Sequence, residues 1–181
     1  MEKIFVFRVL IDYEKDVFRD IHIKSSQTFS EFHKAIQNAF DFDGQQMASF
    51  YMSNEDWDKG EEIAMEHISE NQSNPLMHET NLEQMVEDVG QKLVYVSDFL
   101  LMWCFFIELV KIEEPNLVSV YPMISNSYGD APNQNDKEIE FDDSFSILND
   151  FPGDDPYSDL DNDNGEDDIF EGFDDFEQYE Y

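Results

Sequence analysis

The stretch DLDNDNGEDDIF, residues 159–170, is the part of the chain that most resembles a metal-binding site. An EF-hand loop requires oxygen ligands at positions 1, 3 and 5, glycine at position 6 and a bidentate carboxylate at position 12. A loop that starts at Asp159 puts Asn164 at position 6 and Phe170 at position 12, and a loop that starts at Leu160 lacks the first ligand. Each register fails at a defining position, so we predict weak binding of cations by a polyanion and no specific metal site.

Residue types that act in catalysis are few and scattered. The histidines, His22, His33, His67 and His78, show no short ligand spacing, and Cys104 has no second thiol with which to form a zinc site or a disulfide. The sequence contains no nucleophile elbow of the form G-x-S-x-G, no P-loop and no glycine-rich dinucleotide loop. We therefore predict no catalytic residue, no bound metal and no cofactor.

The charge balance restricts the class of partner. The chain carries 43 acidic and 10 basic residues, a formal net charge of −33. Affinity for a nucleic-acid backbone comes from Lys and Arg that neutralise phosphates, so this balance disfavours direct nucleic-acid binding. The longest apolar run, residues 99–107, has about half of the roughly 20 residues that a membrane-spanning helix needs, and the N-terminus shows no signal-peptide cleavage pattern. We expect a soluble, cytoplasmic protein that does not enter a membrane.

The acidic residues are concentrated at the C-terminal end. Residues 131–181 contain 19 acidic side chains and one basic side chain, Lys137. Such a segment repels itself and buries too little apolar surface to offset the entropy of ordering, so we predict a mostly disordered acidic tail over residues 116–181.

Aromatic residues recur through this tail, and its last group is Phe170, Phe173, Phe176 and Tyr179. Charge repulsion would keep these rings exposed, so that they could dock in an apolar groove of a basic protein partner. Drift within a low-complexity segment is the alternative explanation.

The first two thirds of the sequence show regular apolar patterning. Alternation predicts a hairpin of two strands, and TFSEFHKAIQNAF has Thr28 and Glu31 in a capping-box arrangement before apolar residues at helical spacing. A polar excursion follows the third strand, with a short strand at residues 61–65 and a short helix or turn at residues 81–88. The main predicted elements are strands at residues 4–12, 17–24, 47–53, 92–99 and 102–112 and a helix at residues 28–40.

This order of elements is that of a β-grasp, or ubiquitin-like, fold with one extra C-terminal strand. The sequence therefore predicts an α+β domain over residues 1–115, in which a mixed sheet packs on one main helix, followed by the tail at residues 116–181.

The segment FRDIHIKSSQTFSEFHKAIQNAFDFD resembles the plasmid pRiA4b ORF-3-like family, which is found on plasmids and mobile elements and sometimes carries a resolvase-like label. The resemblance covers the first 112 residues. The residues of this chain that match the family pattern are Arg19, His33, Ala35, Ile36, Ala39 and Phe40.

This chain also departs from the family pattern at polar positions. Gln46 and Ala48 stand where many members have histidines, and Leu101 and Phe105 stand where many members have an acid and a histidine. Asp98, Phe99 and Trp103 keep the family residue types. If the family pattern marks a polar site, the resemblance implies that only a remnant survives here, formed by Arg19, His33 and Asp98.

Two functions are consistent with these observations. The first is a non-enzymatic interaction protein whose acidic, aromatic tail binds a basic protein partner. The second, implied by the resemblance, is an accessory protein or degenerate enzyme in nucleic-acid transactions of mobile elements. A true resolvase needs several arginines around the scissile phosphate, and this chain has only Arg8 and Arg19.

Overall fold

The structure is a computed structural model, and it describes residues 2–116 and 118–138. These residues form seven β-strands and one α-helix. The elements are β1 (Ile4–Ile11), β2 (Phe18–Lys24), α1 (Phe29–Ala39), β3 (Ala48–Ser53), β4 (Lys59–Ala64), a 3-10 turn (Leu82–Gln84), β5 (Lys92–Ser97), β6 (Trp103–Glu113) and β7 (Met123–Tyr128).

The strands form one sheet in the order β4-β3-β5-β6-β1-β2-β7. All six pairings between these strands are antiparallel. The predicted β-grasp fold with a mixed sheet is therefore wrong, and the antiparallel sheet dominates the architecture. A β-grasp needs a late strand parallel to β1. Here β6, the late strand beside β1, is antiparallel to it, and β5 is antiparallel to β6 because a short turn joins the two.

The helix forms where the sequence predicts it. The Thr28 hydroxyl accepts a hydrogen bond from the Glu31 N–H at 3.3 Å, and the Glu31 carboxylate accepts one from the Thr28 N–H at 2.8 Å. This reciprocal pair satisfies two amides that the first helical turn leaves without partners, so the predicted capping box is confirmed.

One face of the sheet, which we call the inner face, is covered by α1. The Phe32 ring stacks on Phe7 of β1 at 4.7 Å and on Phe50 of β3 at 5.4 Å between centroids. Ile36, one turn further along the helix, is fully buried. The alternating residues of β1 also face α1, as the apolar pattern predicted, and burial of these side chains supplies most of the stabilisation of the fold.

Strand β7 corrects the predicted architecture. The sequence predicts no strand after residue 112 and a tail over residues 116–181, but residues 123–128 pair with β2. The sequence of β7, MISNSY, shows no apolar alternation, and most of its side chains are exposed. It is held through its backbone and through Asn126, whose amide donates to the Asp20 carboxylate at 3.2 Å. The predicted disorder of residues 139–181 lies outside the described residues.

Candidate functional site

A buried polar network lies between α1 and the inner face of the sheet. Nδ1 of His33 is 2.7 Å from the hydroxyl oxygen of Tyr95 in β5. The Gln37 amide, one helical turn after His33, donates to the same hydroxyl at 2.7 Å and to the Ser97 hydroxyl at 3.1 Å. All four side chains are buried. Sequence reasoning identified His33 and missed its three partners, although the spacing of His33 and Gln37 puts both on one helix face.

The contacts of the Tyr95 hydroxyl bear on the protonation of His33. The hydroxyl oxygen accepts a hydrogen bond from the Gln37 amide and lies beside Nδ1 of His33. When the hydroxyl donates to Nδ1, the neutral imidazole carries its proton on Nε2. Burial, with a smaller effect of Lys34, lowers the pKa of His33 to about 4, which agrees with a neutral ring.

Tyr95 is also held in its neutral form. Its ring is packed between Phe50 and Phe105, with centroids at 4.6 and 5.3 Å. Burial raises the pKa of the Tyr95 hydroxyl above its usual value. Tyr95 and His33 are both neutral near pH 7, and their contact ties α1 to β5.

Arg19 lies apart from this network and bonds to backbone carbonyls. Its Nε donates to the Ala39 carbonyl at the end of α1 at 3.0 Å, and one terminal nitrogen donates to the carbonyls of Phe18, Tyr128 and Gly129 at 2.8 to 3.1 Å. The guanidinium also lies 5.1 Å from the centre of the Phe40 ring. Arg19 therefore caps the C-terminus of α1 and connects it to β2 and to the end of β7.

Asp98 shapes the turn between β5 and β6. Its backbone is left-handed, with φ of 60°, and its carboxylate accepts hydrogen bonds from the N–H groups of Leu100 and Leu101, both at 3.0 Å. These are the contacts of an Asx turn. No hydrogen bond between any two of Arg19, His33 and Asp98 is present in the described residues, so the predicted remnant site is divided among three local structures.

A small cavity of about 20 Å³ separates Asp98 from the buried network. Gln37, Ser97 and Asp98 line it, together with Gln46 and Trp103. A space of this size accommodates about one water molecule. The neighbouring positions are filled by apolar groups, since Ala48 pairs with Ser97 and the buried Phe105 pairs with Tyr95. The fold thus brings together positions that the family resemblance marked as polar, and in this chain two of them are core residues.

The sequence also raises the questions of a metal site, a membrane-spanning helix and a binding tail. Within residues 2–116 and 118–138, no three His, Cys, Asp or Glu side chains converge in a metal-binding arrangement. No helix in the same residues has the length and apolar character needed to cross a membrane. The candidate loop at residues 159–170 and the tail residues Phe170, Phe173, Phe176 and Tyr179 lie outside the described residues.

Comparison with known proteins supports the family resemblance. No curated protein matches the chain. Among solved structures, the chain is similar to a protein of unknown function from Methanosarcina mazei Go1, with a TM-score of 0.64, 20% sequence identity and coverage of 76% of each chain. At that identity the likeness shows a shared fold. The family model for plasmid pRiA4b ORF-3-like protein matches residues 3–177. The chain therefore belongs to the plasmid pRiA4b ORF-3-like family.

Proposed function

We propose that this chain is a non-enzymatic interaction protein whose acidic, aromatic C-terminal segment binds a basic protein partner. The observation that carries the proposal is that the buried polar side chains form hydrogen bonds with one another. His33, Gln37 and Tyr95 bond to one another inside the fold and not toward an open cleft. A catalytic acid or base must reach its substrate within hydrogen-bonding distance, and the hydrogen bonds of this network instead join α1 to β5.

The charge of the chain supports the choice of partner. Residues 131–181 carry 19 acidic side chains and one basic side chain, and aromatic rings recur between the acids. A basic protein would release counterions from this segment, and an apolar groove on its surface would bury the rings.

The second hypothesis, an accessory protein or degenerate enzyme acting on nucleic acid, depends on Arg19 as a phosphate ligand. Arg19 is buried, and its bonded nitrogens donate to backbone carbonyls of α1, β2 and the end of β7. Drawing Nε and the bonded terminal nitrogen away to a phosphate would release the end of α1. No contact among the described residues favours this second function.

The test is affinity capture of the partner from a native lysate with matched forms of the chain. A form that ends after residue 138 keeps β7, whereas a form that ends near residue 120 would remove β7 and confound the result. We expect the full chain to capture a basic protein and the form that ends after residue 138 to capture much less. Equal capture by the two forms contradicts the proposal.

Two further variants separate rings from charge. Phe170→Ser, Phe173→Ser and Phe176→Ser together keep the net charge and remove large apolar groups, and we expect at least a tenfold loss of capture because each buried ring contributes about 1.5 to 3 kcal/mol. Asp174→Asn, Asp175→Asn and Glu177→Gln form the complementary set. If only this second set weakened capture, the aromatic rings would have no part in binding and the proposal in its present form would fail.

A further inference from the structure

The turn between β5 and β6, residues 98–102, exposes three large apolar side chains. Leu100 is 66% exposed, Met102 is 46% exposed and Phe99 is 38% exposed. Leu101, between them, turns inward and packs against the core. Isolated apolar residues are common on protein surfaces, but three within four consecutive residues form a contiguous patch of the kind that marks an interaction site.

The backbone of this turn is fixed. The Met102 N–H donates to the Asp98 carbonyl at 2.6 Å, and the Met102 carbonyl accepts from the Lys137 ammonium at 2.7 Å. Asp98 and Met102 both have left-handed backbones, with φ of 60° and 52°, a conformation that residues other than glycine rarely adopt. A turn held in this way presents its apolar side chains in one arrangement, which reduces the entropy lost when they bind.

A further exposed aromatic ring lies in the neighbouring turn at this end of the sheet. Trp103, next to Met102, is buried, and its indole N–H donates to the Gln134 carbonyl at 2.9 Å. The exposed ring of Tyr13, in the turn between β1 and β2, lies 6.2 Å from the Trp103 ring. We call Tyr13, Phe99, Leu100 and Met102 the hairpin-tip patch.

Acidic side chains predominate in the turns at the end of the sheet where the hairpin-tip patch lies. The turns at this end of the sheet carry eight carboxylates and two lysines, which are Asp12, Glu14, Asp16, Asp41, Asp43, Asp98, Asp130, Asp136, Lys15 and Lys137. The ion pairs within the described residues all lie elsewhere and involve none of these carboxylates. An occupant of the patch must therefore bring apolar groups into a field that is negative on balance.

We propose that the hairpin-tip patch is a docking site on the folded domain for a basic protein surface that contains an apolar pocket. Charge complementarity selects this occupant. Nucleic acid and an anionic membrane would approach with the same sign of charge, and a second copy of this chain would bring a net charge of −33. The site goes beyond the tail in the proposed function and does not depend on it.

The test uses the full chain and two synthetic probes of equal length and charge. One probe is an amphipathic helical peptide of Leu and Lys, and the other replaces each Leu by Ser. We expect Phe99→Ser with Leu100→Ser to weaken binding of the Leu–Lys peptide by about tenfold or more, because two apolar contacts are lost while the charge is unchanged. The matched control, Ile68→Ser with Val89→Ser, changes two side chains that are 75% and 57% exposed elsewhere, and we expect no change in affinity.

The same pair of variants is measured in a chain that also carries Phe170→Ser, Phe173→Ser and Phe176→Ser. An equal loss of affinity in both backgrounds supports a site on the folded domain that is separate from the tail. A loss confined to the background with the native tail overturns the inference and leaves the tail as the binding element.

Three further results would contradict the inference. Equal affinities for the Leu–Lys and Ser–Lys peptides would show that charge alone attracts basic partners. Binding of the full chain to anionic vesicles, or self-association in sedimentation, that disappears in the Phe99→Ser and Leu100→Ser chain would assign the patch to a different occupant. Circular dichroism confirms that each variant is folded, and Leu100→Ser alone replaces the pair if the pair is not.

Discussion

Nδ1 of His33 and the hydroxyl of Tyr95 lie 2.7 Å apart, and this contact joins the middle of α1 to the middle of β5. The two residues are 62 positions apart in the chain. Each is buried, so the partner left behind by a substitution has little access to water in the folded state.

Tyr95→Phe tests the energy of this network. The change removes the hydrogen-bond partner of Nδ1 of His33 and one acceptor of Gln37 and leaves the ring packing in place. We expect the free energy of unfolding, measured by urea denaturation at pH 7, to fall by about 1 to 3 kcal/mol because a buried polar atom loses its partner. The control is Tyr13→Phe at an exposed ring, for which we expect a change within about 0.5 kcal/mol. Equal effects would show that the network adds nothing to stability.

The lowered pKa of His33 predicts a dependence of stability on pH. In the folded chain the pKa is about 4, and in the unfolded chain it returns to about 6.5. Between these values the unfolded state binds more protons than the folded state, so stability is complete above pH about 6.5 and falls as the pH drops toward about 4. The loss from this one group is at most on the order of 3 kcal/mol.

The variant His33→Asn isolates this contribution, because an amide oxygen can replace Nδ1 as acceptor and does not titrate. We expect a flatter profile of unfolding free energy between pH 6.5 and 4 than in the parent chain. His78→Asn, at a histidine whose side chain is 61% exposed, is the control, and its profile should lie closer to that of the parent chain than the His33→Asn profile does. Parallel profiles for the parent and His33→Asn chains would contradict the buried, neutral state of His33.

The helix offers a test of the inner face. Ile36 is fully buried, and Ile36→Ala should reduce the free energy of unfolding by about 2 to 5 kcal/mol through lost apolar contacts and a residual cavity. Lys34→Ala, on the exposed side of the same helix, should change it by less than about 0.5 kcal/mol. Small and equal effects in urea denaturation would show that the buried face of α1 is wrongly assigned.

Local signals in the sequence predicted the local parts of the fold. The Thr28 and Glu31 capping box and the alternation in β1 act between residues that are close in the chain, so composition and spacing are sufficient to find them. The order of strands in the sheet depends instead on contacts between residues that are far apart in the chain. Whether β6 lies beside β1, and in which direction, depends on packing across about 100 residues, and no local pattern records it.

The same distinction explains what was missed at the candidate site. His33 was found from the family resemblance, but its partner Tyr95 reads as an ordinary strand residue, and only the folded chain brings the two together. Asp98 was identified as a remnant of a polar site, whereas its carboxylate stabilises a turn. Its backbone conformation, which distinguishes these roles, is not visible in residue type.

The last prediction concerns Gly129, which follows β7 and supplies one of the carbonyls that Arg19 binds. A Cβ at this position would lie 2.6 Å from the Asp16 carbonyl oxygen, and its φ of 73° already disfavours any side chain. Gly90 is the matched control, because its φ is 92° and a Cβ there would have no neighbour within 4 Å.

Both alanine substitutions introduce an unfavourable backbone, which we expect to cost about 1 to 2 kcal/mol in the free energy of unfolding. Gly129→Ala must in addition displace backbone at Asp16, so it should cost about 1 to 3 kcal/mol more than Gly90→Ala. Urea denaturation of the full chain measures both. If the two variants were equally stable, the end of β7 would not pack against the turn between β1 and β2, and residues 123–128 would contribute little to the folded domain.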